Sequence, residues 1–235
     1  MIQGQAQPDY VNGYAGNDTM SGFGFTPTGL DIFFGGDGLD TAIFPNPRKD
    51  YTVSSSNTVY DPVRQKSDLS GYKVRNITKP DFGQADLYQV ERIRFSDSSL
   101  ALDLAGNAGK AYRVYKAAFA RDPMAGDKAG LGYWISNIDK GMDMIEVAAR
   151  FIDSPEFRGL YGQNPSNADF LTKVYTNVLG RTPDQGGYNW WLNELNNNPT
   201  KTKAKVLADF AESGENQAGV ASLIGNGIQS TEFVS

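Results

Sequence analysis

Four aspartates near the start of the chain recur at almost regular intervals. Asp9, Asp18, Asp31 and Asp40 are separated by 9, 13 and 9 residues, a nine-residue period broken by one insertion of four residues at 25–28. Glycines gather in the turns before these aspartates, where they allow positive φ angles and let backbone carbonyls approach a bound ion. Calcium takes about six to eight oxygen ligands, chiefly carboxylates, carbonyls and water. The spacing therefore predicts a calcium site.

The repeating units resemble the hemolysin-type calcium repeat, the nonapeptide Gly-Gly-x-Gly-x-Asp-x-U-x. The best match is the fourth unit, GGDGLD at 35–40 followed by TAI at 41–43. The resemblance implies a short parallel β-roll. An apolar side chain lies two residues after each aspartate and is expected to point into a shared core, namely Val11, Met20, Phe33 and Ala42. The alternative is a set of ordinary glycine-rich loops with capping aspartates.

The resemblance further implies that turns two units apart face each other. The better pair is residues 13–18 facing residues 35–40, with carboxylates from Asp18 and Asp40. The other candidate ligands of this pair are Gly13, Gly16, Asn17, Gly36, Asp37 and Gly38.

Asp9 and Asp31 form a second and poorer candidate pair. Pro8 precedes Asp9 in a turn that lacks the glycines, and the turn before Asp31 carries the insertion. Both pairs together predict Ca²⁺ as the only cofactor.

Alternating polar and apolar residues continue after the repeats. They occur at 50–53, 72–77 and 86–103, a pattern typical of strands. The last of these stretches resembles the β segment that closes calcium rolls in exported proteins. Residues 1–105 are therefore expected to form a calcium-binding roll with its closing β segment.

The hydrophobic period changes to that of a helix after Gly106, and a second repeat begins. VYKAAFARDP at 114–123 matches VYTNVLGRTP at 174–183, and DKAGLGYW at 127–134 matches DQGGYNWW at 184–191. Residues 106–235 are expected to form an all-α domain with two related repeats, at about 107–160 and 167–216, and a C-terminal tail. The chain is thus predicted to be a multi-domain α+β protein.

The helical repeats resemble a family of unknown function that often follows calcium repeats in secreted bacterial proteins. They are also distantly similar to the helical linker repeats of phycobilisomes. Neither resemblance implies an activity. Within the repeats, Asp127 and Asp184 are expected to cap helices, and Arg121 and Arg181 to bind a carboxylate or cap carbonyls.

Several aromatic residues of the helical repeats have two interpretations. Trp134, Trp190, Trp191 and Tyr188 can pack in the helical core, which is the favoured interpretation, or present a surface to a sugar or a protein partner. Two aromatics in succession cannot both face one core, so at least one is expected at the surface.

The composition excludes several classes of function. The 235 residues include no cysteine and no histidine, which removes thiolate and imidazole catalysis, and no carboxylate dyad with a supporting motif is evident. The net charge of −5 without a basic cluster argues against nucleic-acid binding. No apolar run is long enough to span a bilayer. We expect a non-enzymatic protein.

The two ends of the chain favour export through a type I secretion transporter. The start lacks the features of a cleaved signal peptide, and Glu232, Phe233, Val234 and Ser235 resemble an uncleaved C-terminal signal, with a frayed tail as the alternative. We therefore expect an extracellular protein, either free or attached to the cell surface, that folds when it meets calcium.

Three function classes remain open. The first is a self-assembling structural protein of the bacterial surface, such as a surface-layer or filament subunit. The second is a calcium-dependent adhesion or glycan-binding module. The third is the export tail of a larger secreted enzyme.

Overall fold

The computed structural model of the chain describes residues 1–3, 9–22, 30–61, 65–79 and 84–231. It divides into a β unit, comprising Met1–Asp103 and a C-terminal segment from Asn226, and a helical unit, Leu104–Gly225. The division after Asp103 lies close to the boundary expected at 105, whereas the segment from Asn226 had been assigned to the helical domain. The predicted insertion at 25–28 and the export signal at 232–235 lie outside the described residues.

The described part of the β unit contains eleven strands and one short 3-10 helix, Arg48–Asp50. The strands are β1 Ile2–Gln3, β2 Tyr10–Asn12, β3 Thr19–Ser21, β4 Leu30–Phe34, β5 Thr41–Ile43, β6 Tyr51–Asp61, β7 Lys66–Asn76, β8 Gln84–Tyr88, β9 Arg92–Arg94, β10 Ser99–Ala101 and β11 Ile228–Ser230. They form a six-stranded sheet with the order β1-β3-β5-β9-β10-β11 and a five-stranded sheet with the order β2-β4-β8-β7-β6.

The strands of the aspartate repeat pair in parallel with one another and with β8 and β9. The remaining later strands extend both sheets in antiparallel fashion. In the six-stranded sheet β1, β3, β5 and β9 are parallel, after which β10 and β11 are antiparallel. In the five-stranded sheet β2, β4 and β8 are parallel, after which β7 and β6 are antiparallel. Successive repeat strands therefore contribute alternately to the two sheets.

The expected short parallel β-roll is wrong, because the repeat strands belong to two mixed sheets. The repeat strands β2 to β5 are only three to five residues long, too short to bury a core of their own. The later strands β8 and β9 pair with β4 and β5, and the hairpin of β6 and β7, each of 11 residues, adds to β8. The order of strands followed by helices agrees with an α+β chain.

Side chains from both sheets meet in one hydrophobic core. Val11 and Phe33 of the five-stranded sheet are 5% and 1% exposed, and Met20 and Ala42 of the six-stranded sheet are fully buried. The inward orientation predicted for these four residues is confirmed. Burying a side chain the size of Phe33 contributes roughly 1.5–3 kcal/mol to stability, so the aspartate turns are held by the apolar residues that follow them.

The helical unit contains nine helices in its described residues. They are α1 Asn107–Phe119, α2 Pro123–Gly126, α3 Lys128–Asp139, α4 Met144–Ile152, α5 Pro155–Tyr161, α6 Asn167–Leu179, α7 Gln185–Asn197, α8 Lys203–Ala211 and α9 Gly214–Ile224. Most begin with a side-chain cap. Asp127 accepts the Gly130 N–H and Asp184 accepts the Gly187 N–H, each at 2.8 Å, as predicted.

Two equivalent salt bridges mark the repeat in the helical unit. Arg121 forms a bidentate pair with Glu156, at 2.7 and 3.2 Å, and Arg181 forms the same pair with Glu215, at 2.6 and 3.0 Å. The predicted carboxylate partners are thereby confirmed. These pairs are exposed to solvent and screened by it, so they chiefly fix the geometry of the turn after α1 or α6.

We predict that two glycine-to-alanine substitutions in helices have opposite effects on stability. A Cβ on Gly109 in α1 would lie 1.8 Å from the Leu104 carbonyl oxygen, so G109A should destabilise the helical unit by about 1–3 kcal/mol. The matched control is G219A in α9, where no neighbouring atom lies within 4 Å, and helix propensity should stabilise it by up to about 1 kcal/mol.

Urea unfolding followed by tryptophan fluorescence measures this difference. All 3 tryptophans lie in the helical unit, so the signal reports on that unit alone. Equal stability of the two variants would contradict the packing described for α1.

Candidate metal centre

Two glycine-rich turns lie side by side at one end of the repeat strands. The first turn, residues 13–18, follows β2, and the second turn, residues 35–40, follows β4. The Gly16 N–H donates to the Asp37 carbonyl, and the Asp37 N–H donates to the Tyr14 carbonyl, both at 2.8 Å. The predicted facing pair of turns is thus adjacent in the structure.

Backbone contact between the turns requires glycine at specific positions. Gly36 has a φ of 99°, and a Cβ there would lie 1.9 Å from the Tyr14 carbonyl oxygen. Gly38 has a φ of 144°, and a Cβ there would lie 2.0 Å from the Gly16 carbonyl oxygen. Asn17 Oδ1 accepts a backbone N–H of the second turn at 2.9 Å. The glycines and Asn17 therefore bring the carbonyls of both turns close together.

Asp40 is the most unusual residue of this site. Its side chain is fully buried, and its Oδ1 accepts the Asp18 N–H at 2.8 Å. Its Oδ2 is also buried and has no hydrogen-bond partner among the described residues. Burial raises the pKa of Asp40, and the charge of Asp18 raises it further, against the lowering effect of that hydrogen bond. A buried carboxylate oxygen without a partner is costly unless a cation or a proton satisfies it.

Gly13 and Gly35 begin the first and second turns, and each lies beside one carbonyl oxygen and one carboxylate oxygen. A Cβ on Gly13 would lie 2.4 Å from the Gly35 carbonyl oxygen and 2.9 Å from Asp18 Oδ2. A Cβ on Gly35 would lie 1.8 Å from the Gln89 carbonyl oxygen and 2.6 Å from Asp40 Oδ2. The same pair of oxygen types thus occurs twice along the stack of turns.

Asp9 and Asp31 form a second pair with the same hydrogen bond. The Asp9 N–H donates to Asp31 Oδ1 at 3.1 Å, and a Cβ on Gly22 would lie 1.9 Å from Asp31 Oδ2. Burial and the nearby charge of Asp9 raise the pKa of Asp31 to about 6, although the hydrogen bond lowers it. The next residue in this row is Ala85, so the row ends after two carboxylates.

These oxygen atoms fit calcium better than a transition metal. Within the described ranges no group of three or more Asp, Glu, His or Cys side chains lies close enough to hold a metal. A site here must therefore combine at most two carboxylates with backbone carbonyls and water, which are ligands of calcium rather than of zinc. The unpartnered Asp40 Oδ2 and the glycine-lined carbonyls satisfy that requirement.

Glu91 contacts Asp40 in this row of carboxylates, although the aspartate period does not include it. Glu91 Oε2 accepts the Asp40 N–H at 2.9 Å, in the way that Asp40 accepts the N–H of Asp18. The signal in the sequence is its position directly before β9, as Asp18 precedes β3 and Asp40 precedes β5. This signal is weak in the sequence, because the residue is a glutamate and not an aspartate. It also lies 51 residues after Asp40, outside the nine-residue period.

Of the aromatic residues proposed for a binding surface, some pack against other helices and one is exposed. Trp134 packs edge-on against Phe151 with ring centroids 4.8 Å apart, and Trp191 packs against Phe210 at 5.2 Å. Both support the packing interpretation. Trp190 is 53% exposed and meets Trp191 at 77°, so the two rings do not form a flat platform.

Tyr188 is half-buried and its hydroxyl donates to the Ala168 carbonyl at 3.3 Å, which ties α7 to α6. Helix α7 nevertheless has no buried residue, whereas its equivalent α3 buries four, namely Leu131, Gly132, Ile135 and Ile138. The two repeats therefore differ in how much surface they leave uncovered.

No helix in the described part of the chain combines the length and the apolar character needed to cross a bilayer.

Comparison with known proteins identifies part of the helical unit. Residues 148–220 match the family described as Domain of unknown function (DUF4214), from α4 to α9. This confirms the resemblance to a helical family of unknown function for that segment. No calcium-repeat family is detected, so the resemblance of residues 9–43 to such repeats stays a prediction. No curated protein matches the chain. The matched segment contains the end of α4, all of α5 and the second helical repeat at about 167–216, and it covers less than half of the chain.

Proposed function

We propose that the chain is a non-enzymatic, calcium-binding structural protein of the bacterial cell surface. In this proposal, calcium binds between the first and second turns and stabilises the β unit after export by a type I transporter. The helical unit, which carries the DUF4214 domain, provides contacts for self-assembly of the surface-layer or filament type.

The observation that carries this proposal is the buried, unpartnered Oδ2 of Asp40. Asp18 lies in the adjacent turn, so the two carboxylates repel each other when both are ionised and no cation is bound. A divalent cation between the turns would remove this repulsion and use the free oxygen. The carbonyls that the glycines expose would complete the ligand set together with water.

Calcium binding of this kind is coupled to folding. The ligands come from turns that are 22 residues apart and that meet only in the folded sheets, so the unfolded chain offers no equivalent site. A ligand that binds only the folded state adds about 2.7 kcal/mol at 100 times its dissociation constant. The β unit would remain loose where calcium is scarce, as in a cytosol, and would close where calcium is abundant.

The uncovered helix α7 favours a protein or glycan contact as the second part of the function. Trp190 and the half-buried face of α7 expose apolar surface that the equivalent helix α3 buries. Self-association would bury this surface. Recognition of a cell-surface glycan is the alternative.

We predict that D40N separates metal binding from the fold. Asparagine keeps an Oδ1 acceptor for the Asp18 N–H but removes the buried charge, so the metal-free β unit should be as stable as the wild type or more stable. The calcium-dependent stabilisation should fall from about 2–3 kcal/mol to below about 1 kcal/mol. Hydrogen exchange of β3 and β5, with EDTA and then with calcium, measures this difference.

The matched control for D40N is D143N, which caps α4 by accepting the Ile145 N–H. Asparagine caps helices as well as aspartate does, so D143N should respond to calcium like the wild type. A wild-type β unit whose exchange and far-UV circular dichroism do not change with calcium would refute the proposal.

We predict that the metal-free β unit loses stability as the pH rises from about 4 to 6. The folded state holds the proton of Asp31 more tightly than the unfolded state, because the pKa rises from 3.8 to about 6. Deprotonation in that window therefore costs roughly 3 kcal/mol. D31N should abolish most of this slope, as measured by hydrogen exchange of β4 in EDTA. Identical slopes for D31N and the wild type would contradict the assignment.

We predict that adjacent tryptophans of α7 differ in their roles. W190A removes an exposed ring, so stability should change by less than about 0.5 kcal/mol while self-association, measured by sedimentation velocity in calcium, weakens. W191A removes packing against Phe210 and should cost about 2 kcal/mol. A wild type that stays monomeric but binds a glycan array through Trp190 would favour the adhesion alternative.

A further inference from the structure

The stack of aspartate turns does not end at Asp40. Register between β5 and β9 places Thr41 opposite Arg92, so Asp40 lies next to Glu91. The Arg92 N–H donates to the Asp40 carbonyl at 2.9 Å, as the Thr41 N–H donates to the Asp18 carbonyl at 2.8 Å. The short connection between β8 and β9 therefore serves as a third turn, outside the aspartate period.

The third turn repeats the oxygen arrangement of the second turn. Gly13 donates its N–H to Phe34, and Gly35 donates its N–H to Tyr88, so Gln89 occupies the position that Gly35 has in the second turn. Gln89 has a φ of 49°, a backbone conformation usually taken by glycine. Its carbonyl oxygen points at the Cα of Gly35, beside the free oxygen of the buried Asp40 carboxylate.

We propose that Asp40, Glu91 and the Gln89 carbonyl form a second divalent-cation site, stacked on the one between Asp18 and Asp40. The inference rests on the proposed calcium function and extends it to a turn that the nonapeptide pattern does not include. Asp40 would then be a shared ligand, with its free Oδ2 bridging the two ions.

Two other acidic residues lie near Glu91. Glu91 Oε2 accepts the Asp40 N–H at 2.9 Å, and Asp103 lines the same cavity as Glu91. The nearby Arg92 forms an ion pair with Asp103 and donates to the Glu91 carbonyl at 3.0 Å. Arg92 therefore neutralises the carboxylate of Asp103.

A cavity beside Glu91 leaves room for the water ligands of an ion. Its volume is about 170 Å³, and its lining includes Gly71, Tyr72, Gln89, Glu91 and Asp103. Calcium commonly keeps water in its coordination sphere, and a cavity lined by two carboxylates admits a hydrated cation. The cavity therefore reaches Gln89 and Glu91, two of the three residues of the proposed site.

The alternative role of Glu91 is to cap the Asp40 N–H without binding a metal. E91Q distinguishes the two roles, because the glutamine amide oxygen can accept the same hydrogen bond but is a much weaker calcium ligand. Calorimetric titration of the full chain with CaCl₂ should show one fewer bound ion for E91Q than for the wild type, or at least tenfold weaker binding of one ion. The matched control is E146Q, which affects only a surface pair with Arg150 in α4.

Each result of the titration has a distinct meaning. Loss of one ion in E91Q, with the first ion retained, supports the inference. Unchanged stoichiometry and affinity in E91Q, with loss of binding in D40N, overturns it and leaves the proposed function intact. A wild type that binds no calcium overturns both.

A second measurement covers the case in which E91Q does not fold. Terbium substitutes for calcium and emits when a nearby tyrosine is excited, and Tyr72 lines the cavity next to Glu91. Y72F removes a hydroxyl that makes only a 3.4 Å contact with the Leu102 carbonyl, so it should fold. The sensitised emission should decrease in Y72F, and emission equal to that of the wild type would overturn the second site.

Discussion

The β unit depends on a backbone N–H of one turn donating to the carboxylate of the next. Asp18 donates to Asp40, Asp40 donates to Glu91, and Asp9 donates to Asp31 in the other row. Each bond satisfies a backbone donor at the start of a strand, where the sheet alone offers no acceptor. It also fixes the register of the strands, because a slip of one residue would turn the inward side chains outward. The carboxylates thus have a structural role that does not depend on a bound ion.

The sequence allowed a better prediction of which turns are adjacent than of how the strands pair into sheets. The resemblance to calcium repeats predicted that turns two units apart lie together, and the turns before Asp18 and Asp40 are adjacent because strands 22 residues apart pair in the same sheet. The mixed sheets were not evident, because the antiparallel strands that complete them come from distant segments, including β11 near the C-terminus. Glu91 was missed for the same reason, because its relation to Asp40 depends on strand pairing and not on a local period.

In the helical unit, sequence repetition predicted local contacts more reliably than burial. The matching segments placed Arg121 and Arg181, and Asp127 and Asp184, at equivalent turns, where they make equivalent hydrogen bonds. Repetition does not determine how much of each copy is covered by other helices. Helices α3 and α7 occupy equivalent positions, yet only α3 has buried residues, because burial depends on neighbouring elements that the repeat itself does not specify.

If calcium binds as proposed, the buried carboxylates that would weaken the metal-free β unit near neutral pH would also make calcium an effective signal for folding. Asparagine at Asp31 or Asp40 would retain the hydrogen bonds to the turns and would remove most of the repulsion. Such a chain would fold equally well with and without the ion. In this proposal, buried acidic residues in stacked turns would lower the stability of the β unit without calcium. They would thereby increase the difference in stability between the calcium-free and the calcium-bound β unit. A third acidic residue in the stack increases that difference, since each added negative charge strengthens both the repulsion without a cation and the attraction with one.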